Sequence, residues 1–277
     1  MTGANGFIGR HLVPSLRERG HTVVEATRVD GDVADSATWA RFPRTDVVVH
    51  LAGRSFVPDS WTDPRSFVES NVVGTWTALE HCRAHGARMV YLSSYLYGAP
   101  AHLPIAETAP LAVMNPYALT KKQAEQACAF YASTHGLGIT VLRPFNVYGS
   151  GQPASFLVPA VLEQLRGGVE IVVKDATPRR DYVYVTDVVS AVVQALPAPR
   201  GFRVFNVGSG VSHSVADLVD LVQAVWGTSL PVRDSADRRP HEIMDTVADI
   251  RAAAAGLGWA PRFSLRAGLE EMRSRDR

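Results

Sequence analysis

A doubly wound α/β protein built on a parallel sheet is the fold this sequence predicts, on three observations. A glycine-spaced loop, Thr2-Gly3-Ala4-Asn5-Gly6-Phe7-Ile8-Gly9, stands directly before a helical stretch. The β-branched runs, clearest in Val47-Val48-Val49-His50-Leu51, are continuous, as strands covered by helices on both faces are. Strand and helix patterns then take turns as far as Gly149, where prolines and glycines loosen the rhythm.

In order, strands are predicted over 21–26, 46–51, 88–93, 138–143, 169–173 and 203–207. Helices are predicted between them, over 7–19, 64–85, 117–135, 155–166, 186–196, 215–226 and 265–273. The division that follows is a Rossmann-type dinucleotide domain over 1–148, rejoined by 181–207. A smaller mixed α/β lobe over 149–180 and 208–277 completes it. In such a domain the glycine loop follows the central first strand. The sequence opens at Met1-Thr2-Gly3, so that strand is expected to be missing, leaving two neighbouring edges without their partner.

Composition narrows the function. Of 277 residues, 46% are hydrophobic, which excludes a disordered chain. Lys and Arg number 28 against 27 Asp and Glu, so nothing points to a nucleic-acid or membrane partner. Cys82 and Cys128 cannot form a disulfide scaffold. No apolar run approaches the ~18 residues of a membrane span, and no signal peptide is visible. The expectation is a soluble, cytoplasmic, globular protein. His81 and His85 flank Cys82 at helical spacing but have no companion ligands, so no metal is expected.

The G-x-x-G-x-x-G loop permits a tight turn and close backbone approach to a pyrophosphate, with the helix N-terminus adding partial positive charge. About twenty residues on, a carboxylate would read a ribose 2′-hydroxyl. Thr27 occupies that place and Arg28 follows, a combination suited to a 2′-phosphate, with Arg10 a second cation and Glu25 the rival ribose partner. NADP is therefore preferred over NAD.

Tyr117 and Lys121 lie four apart, on one face of a helix. A free phenol has a pKa near ~10, and an adjacent ammonium favours its ionised form. Ser93 and Ser94 end the strand predicted at 88–93, at the sheet edge where ligands bind in open α/β folds.

With these motifs the sequence resembles the extended short-chain dehydrogenase/reductases, specifically the NAD-dependent epimerase/dehydratase family acting on nucleotide sugars. The motifs run in order: TGANGFIG, Gly31-Asp32-Val33, HLAG, Asn71-Val72-Val73-Gly74-Thr75, LSSYLYG, NPYALTK, RPFNVYG, RRDYVYVTDVV, NVGSG and Arg239-Pro240-His241-Glu242. The resemblance implies Tyr117 as acid/base, Lys121 on the nicotinamide ribose, and Ser93, with Ser94 the alternative, on the reacting oxygen. It implies Gly3, Asn5, Gly6, Phe7, Ile8, Gly9, Asp32, Val33, Leu51, Ala52, Gly53, Asn71 and Pro144 around the cofactor. Phe56, Asn146, Arg180 and Arg239 would meet the sugar nucleotide. A homodimer through helices 64–85 and 117–135 is implied as well.

Dehydratases of the family carry an acidic pair after the active-site hydroxyl. Ser94 and Tyr95 stand there, so dehydration lacks its acid and base. Gly53-Arg54-Ser55-Phe56-Val57-Pro58 resembles the GDP-4-keto-6-deoxymannose reductases. Reduction of a 4-keto-6-deoxyhexose nucleotide is the expected reaction, with UDP-hexose 4-epimerisation on bound NAD the alternative. A non-catalytic dinucleotide sensor is the distant one, since sensors tend to lose the tyrosine or lysine that this chain keeps.

Overall fold

The computed structural model describes residues 1–197, 201–237 and 242–275. Helix α1 (Phe7–Glu18) follows the glycine loop and buries Gly9, Leu12, Val13 and Leu16, one stripe of an amphipathic helix. A short α2 (Ser36–Trp39), capped by Asp35, leads into β1 (Val47–His50). Next come α3 (Val57–Thr62), α4 (Pro64–Phe67), a π-helical turn (Val68–Val73) and α5 (Gly74–His85). The helix predicted over 64–85 is thus interrupted by a widened turn, a feature frequent at functional sites. Strand β2 (Arg88–Leu92), α6 (Pro116–His135) and β3 (Gly138–Pro144) complete this half. Asn115 starts α6 by accepting from the Ala118 N–H at 2.8 Å, with Pro116 in the first turn.

The second half runs β4 (Asn146–Tyr148), α7 (Leu157–Gly167), β5 (Ile171–Val173), β6 (Arg179–Tyr184), α8 (Val185–Ala195) and β7 (Gly201–Val207). It ends with β8 (Ser212–Ser214), α9 (Val215–Trp226), β9 (Val232–Asp234), α10 (Arg251–Leu257) and α11 (Leu265–Arg275).

The main sheet has the order β1-β2-β3-β7, parallel throughout, with Tyr91 beside Val141 and Val141 beside Val204. One face is covered by α1 and α8, whose Leu12, Leu16, Val188 and Val192 pack on Val49, Val90 and Leu142. The other face carries α5 and α6, with Leu79, Cys82, Ala124 and Cys128 against Met89, Tyr91 and Val141. A third core, led by Val161, Leu162, Tyr184, Leu218 and Leu269, fills the lobe.

Two expectations change. No strand forms over 21–26; Ala26 alone pairs there, through a bridge to Thr2, which also bridges His50. Residues 1–3 are the segment between those neighbours, with Thr2 N–H on Val49 O at 3.0 Å and Gly3 N–H on Ala26 O at 3.0 Å. Three residues offer too few ladder bonds to define a strand along 21–26. The second change concerns the return at 181–207. Strand β6 pairs with β4 and β8 in a separate three-stranded sheet, so the chain rejoins the main sheet at α8 and β7.

Candidate active site

The glycine loop is held where no side chain fits. Gly3 sits at φ +67, and a Cβ on it would lie 2.9 Å from Ala52 N; one on Gly9 would lie 2.2 Å from Gly3 O. Gly9 thereby lets α1 start tight under the loop. Gly6 is its N-cap, with no side-chain cap and no acidic residue in the first turn. The first N–H groups and the positive end of the helix are left for an anion. Asn5 and Gly6 are exposed, and Phe7 and Ile8 half-buried. This cradle fits the pyrophosphate of a dinucleotide.

The floor beneath is fixed by Thr2 and His50. The Thr2 hydroxyl lies within hydrogen-bond distance of His50 Nδ1, at 2.8 Å, and accepts from Ala52 N–H at 3.2 Å, which ties Leu51 and Ala52 to the loop. Burial lowers the His50 pKa to about 3, assisted by the Lys121 charge, and keeps the imidazole neutral. Gly53 is pressed against Asn71, where a Cβ would come within 2.7 Å of Oδ1. Asn71, on the π-helical turn, accepts from Arg54 N–H (2.8 Å) and donates to Arg54 O and Thr120 Oγ1 (both 3.0 Å). One buried amide thus locks the 53–54 loop to α6. Val33 packs on Gly74, and exposed Asp32 accepts from Ala34 N–H at 2.9 Å.

At the expected ribose edge, Arg28 is exposed and makes no ion pair among the described residues. Glu25 is engaged by Arg17 at 2.6 Å. A residue not anticipated from sequence stands here. Asp30 folds back to accept from both Thr27 N–H (2.8 Å) and Thr27 Oγ1–H (2.9 Å), and these bonds hold its carboxyl below the usual range. A carboxylate therefore does reach this edge, from three residues further along. An Asp closing a three-residue turn on a Thr is the signal that would have found it.

Tyr117 and Lys121 lie on α6 beside the ends of β2 and β3. The ammonium does not lower the phenol's pKa, as the sequence spacing suggested. Lys121 Nζ donates to Leu92 O at 2.8 Å and stands 4.8 Å over the Tyr91 ring. Burial brings its own pKa down to about 8, with Glu125 opposing the shift. Burial pushes the Tyr117 phenol up to about 12, while a hydrogen-bonding contact with Ser94 works the other way. Ser93 Oγ is buried with no partner, and its backbone N–H is fixed on Leu142 O at 2.8 Å. Pro144 ends β3 and accepts from Tyr95 N–H at 3.2 Å.

On the lobe side, Asn146 Nδ2 is likewise buried without a partner. Phe56 meets Phe156 edge-on at 5.8 Å across the cleft. Arg180 donates to Ile243 O at 2.6 Å and pairs with Glu242. Arg239 lies outside the described residues. The sequence reading also missed the support behind α6. Arg143 and Glu125 form a buried two-point ion pair (2.6 and 3.0 Å), and Arg143 continues to Tyr97 OH at 2.9 Å and from there to Asn206. Glu125, four residues past Lys121, was legible as facing the same side; its partner was not. His81 meets His85 with ring centroids 4.3 Å apart and planes tilted by 36°, and it faces Trp39. Among the described residues no group of three or more metal-binding side chains occurs, and no helix is long and apolar enough to cross a membrane.

Residues 1–208 match the NAD-dependent epimerase/dehydratase family. The chain is 34% identical to the GDP-6-deoxy-D-mannose reductase of Pseudomonas aeruginosa, covering 100% of this chain and 97% of that one. It is 32% identical to the UDP-glucose 4-epimerase of Corynebacterium glutamicum, covering 95% and 91%. Among solved structures it is similar to MoeE5 in complex with UDP-glucuronic acid and NAD (TM-score 0.90, 31% identity, covering 100% and 98%). It is also similar to RMD from Pseudomonas aeruginosa complexed with NADPH (TM-score 0.88, 29% identity, covering 98% and 96%). Glycine cradle, Tyr117–Lys121 pair and orphaned serine thus find their context, and the chain is an enzyme of the NAD-dependent epimerase/dehydratase family.

Proposed function

We propose that this enzyme reduces the C4 ketone of a nucleoside-diphosphate 4-keto-6-deoxyhexose, with NADPH as cofactor. The observation that carries the reading is the ribose edge. Thr27 leaves position 27 without a carboxylate of its own, and the Arg28 guanidinium beside it is exposed and unpaired among the described residues, a donor fork for a 2′-phosphate. The similarity to a GDP-6-deoxy-D-mannose reductase, and to a structure holding NADPH, supports it.

When bound, the nicotinamide supplies the hydride. The chain's own groups handle the oxygen. Tyr117 stays protonated well above neutral pH, as a proton donor to a developing alkoxide must be. Ser93 Oγ, buried and unpartnered, donates to the same oxygen. Lys121, held at Leu92 O, offers its remaining donors to the ribose hydroxyls. Asn146 and Arg180 take the diphosphate.

A second reading, C4 epimerisation of a UDP-hexose on bound NAD, is favoured by Asp30, whose carboxylate is bonded to Thr27 at the expected ribose edge. The two are separated by incubating the enzyme with NADPH and a panel of 4-keto-6-deoxyhexose nucleotides. One NADPH oxidised per sugar reduced is expected. No oxidation with any of them, together with interconversion of UDP-glucose and UDP-galactose, overturns the reductase. Dinucleotide binding with no turnover of any nucleotide sugar would leave a dinucleotide sensor.

The assembly we infer is a homodimer through α5 and α6, which leave Trp76 and Phe130 exposed at 41% and 52%. Light scattering at the mass of one chain excludes it. Two free, buried cysteines suit the reducing cytoplasm.

A further inference from the structure

Tyr95 stands on the catalytic edge beside the groups that handle the proton but is not one of them. It follows Ser93 and Ser94 in the segment that continues β2. Backbone bonds from Ser93 to Leu142 and from Tyr95 to Pro144 keep that segment aligned with the end of β3. Its ring stacks on Phe145, with centroids 5.2 Å apart and planes 21° apart. Phe145 is itself buried and anchored by its N–H on Val207 O at 2.9 Å. The ring position is therefore set by the sheet, while the residue stays half-exposed and its hydroxyl makes no hydrogen bond among the described residues.

Its neighbours are short of partners too. Tyr182 OH is buried and unpartnered, as are Asn146 Nδ2 and Ser93 Oγ. Asn146 and Tyr182 are direct cross-strand partners in the β4–β6 ladder, which sets their side chains on one face of that sheet. The Tyr95 segment is tied to α6 by Lys121 Nζ on Leu92 O at 2.8 Å, and to the lobe by the stack of Tyr95 on Phe145, the residue before Asn146. The phenol is near enough to Tyr117 and Tyr182 to oppose their ionisation. Three phenols thus run from α6, across the end of β2, to the lobe. Three buried polar atoms without a protein partner, on the elements that flank the proton donor, suit a polyhydroxylated ligand.

We propose that Tyr95 is a specificity-determining residue that hydrogen-bonds the sugar ring between Tyr117 and Tyr182. It holds the ring in one orientation, so that a single face of C4 is presented. A ring gripped at this third point, on a rigid aromatic stack, is hindered from turning over. That suits one-way reduction better than epimerisation, which needs both faces. The inference rests on the reductase reading for its stereochemical part and on the cleft alone for its binding part.

The test is Tyr95→Phe, which keeps the stack and removes the hydroxyl, assayed with Tyr95→Ala beside it. NADPH binding, read by quenching of tryptophan fluorescence, is expected to match the wild type in Tyr95→Phe. So is the affinity for GDP and UDP, which carry no sugar. Affinity for the nucleotide sugars, with KM, is expected to worsen by about three- to ten-fold, the worth of one neutral hydrogen bond. Tyr95→Ala is expected to lose more and to give a mixed C4 configuration by proton NMR. Equal weakening toward GDP, UDP and nucleotide sugars would overturn the proposal, because the change would then be one of shape. Wild-type affinities and kinetics in Tyr95→Phe would overturn it as well. Failure of the wild type to oxidise NADPH with any 4-keto sugar defeats the reductase reading instead, and the sugar-dependent binding difference still decides Tyr95.

Discussion

Lys121 and Arg143 are both buried cations at the C-terminal edge of the main sheet, and they are treated in opposite ways. Arg143 has a carboxylate on two of its nitrogens and a phenol on a third, and its pKa rises above the ordinary guanidinium value. Lys121 has one backbone carbonyl and the face of a tyrosine, and its pKa falls to about 8. A fully partnered buried charge holds a structure together. One left short of partners is kept ready for something that arrives later. Ser93, Asn146 and Tyr182 belong with Lys121; Glu125, Tyr97 and Asn206 belong with Arg143.

The contrast predicts where substitutions will be felt. Tyr117→Phe should give the largest effect, a fall in kcat of about 10²- to 10⁴-fold. Affinity for NADPH and for nucleotide sugar should stay near the wild-type value by fluorescence titration. Glu125→Ala strands a buried guanidinium and should cost about 3–5 kcal/mol by urea denaturation. Lys121→Met removes a buried charge whose shift from 10.5 to about 8 corresponds to about 3 kcal/mol of strain. It should leave stability equal or improved while turnover collapses. If Lys121→Met unfolds the protein as Glu125→Ala does, the distinction between the two cations is lost.

The pH dependence sharpens the same point. A lysine whose folded pKa lies below its unfolded value releases its proton earlier in the folded state. The unfolded chain then binds more protons between about pH 8 and 10.5, so this group's contribution to stability improves as pH rises through that window. Cofactor affinity should move the other way, weakening above about pH 8 as the ammonium is lost, and Lys121→Met should abolish that limb. The smallest expected effect is at the ribose edge. Arg28→Ala should weaken NADPH by about ten-fold, a charge-assisted contact of ~1.4 kcal/mol, and leave NADH nearly unchanged.

What the sequence made legible was local. The glycine spacing located the cradle because each glycine answers a backbone clash a few residues away or at the next strand. The four-residue spacing of Tyr117 and Lys121 put them on one helical face, but not what the ammonium would touch, because Leu92 lies 29 residues away. The Arg143–Glu125 pair, 18 residues apart across a helix and a strand, was invisible for the same reason. Asp30 was missed although it is three residues from Thr27, because a turn brings it back. The strand expected over 21–26 depended on a ladder partner, which no property of residues 21–26 themselves can supply.

The proposed reduction is tested most directly by NADPH carrying deuterium at the transferred position, supplied with a 4-keto-6-deoxyhexose nucleotide. A product alcohol labelled at C4, in a single configuration, is expected, with one NADPH consumed for each sugar. An unlabelled mixture of C4 epimers formed from a UDP-hexose without added cofactor, and no label taken up from NADPH by any 4-keto sugar, would contradict it.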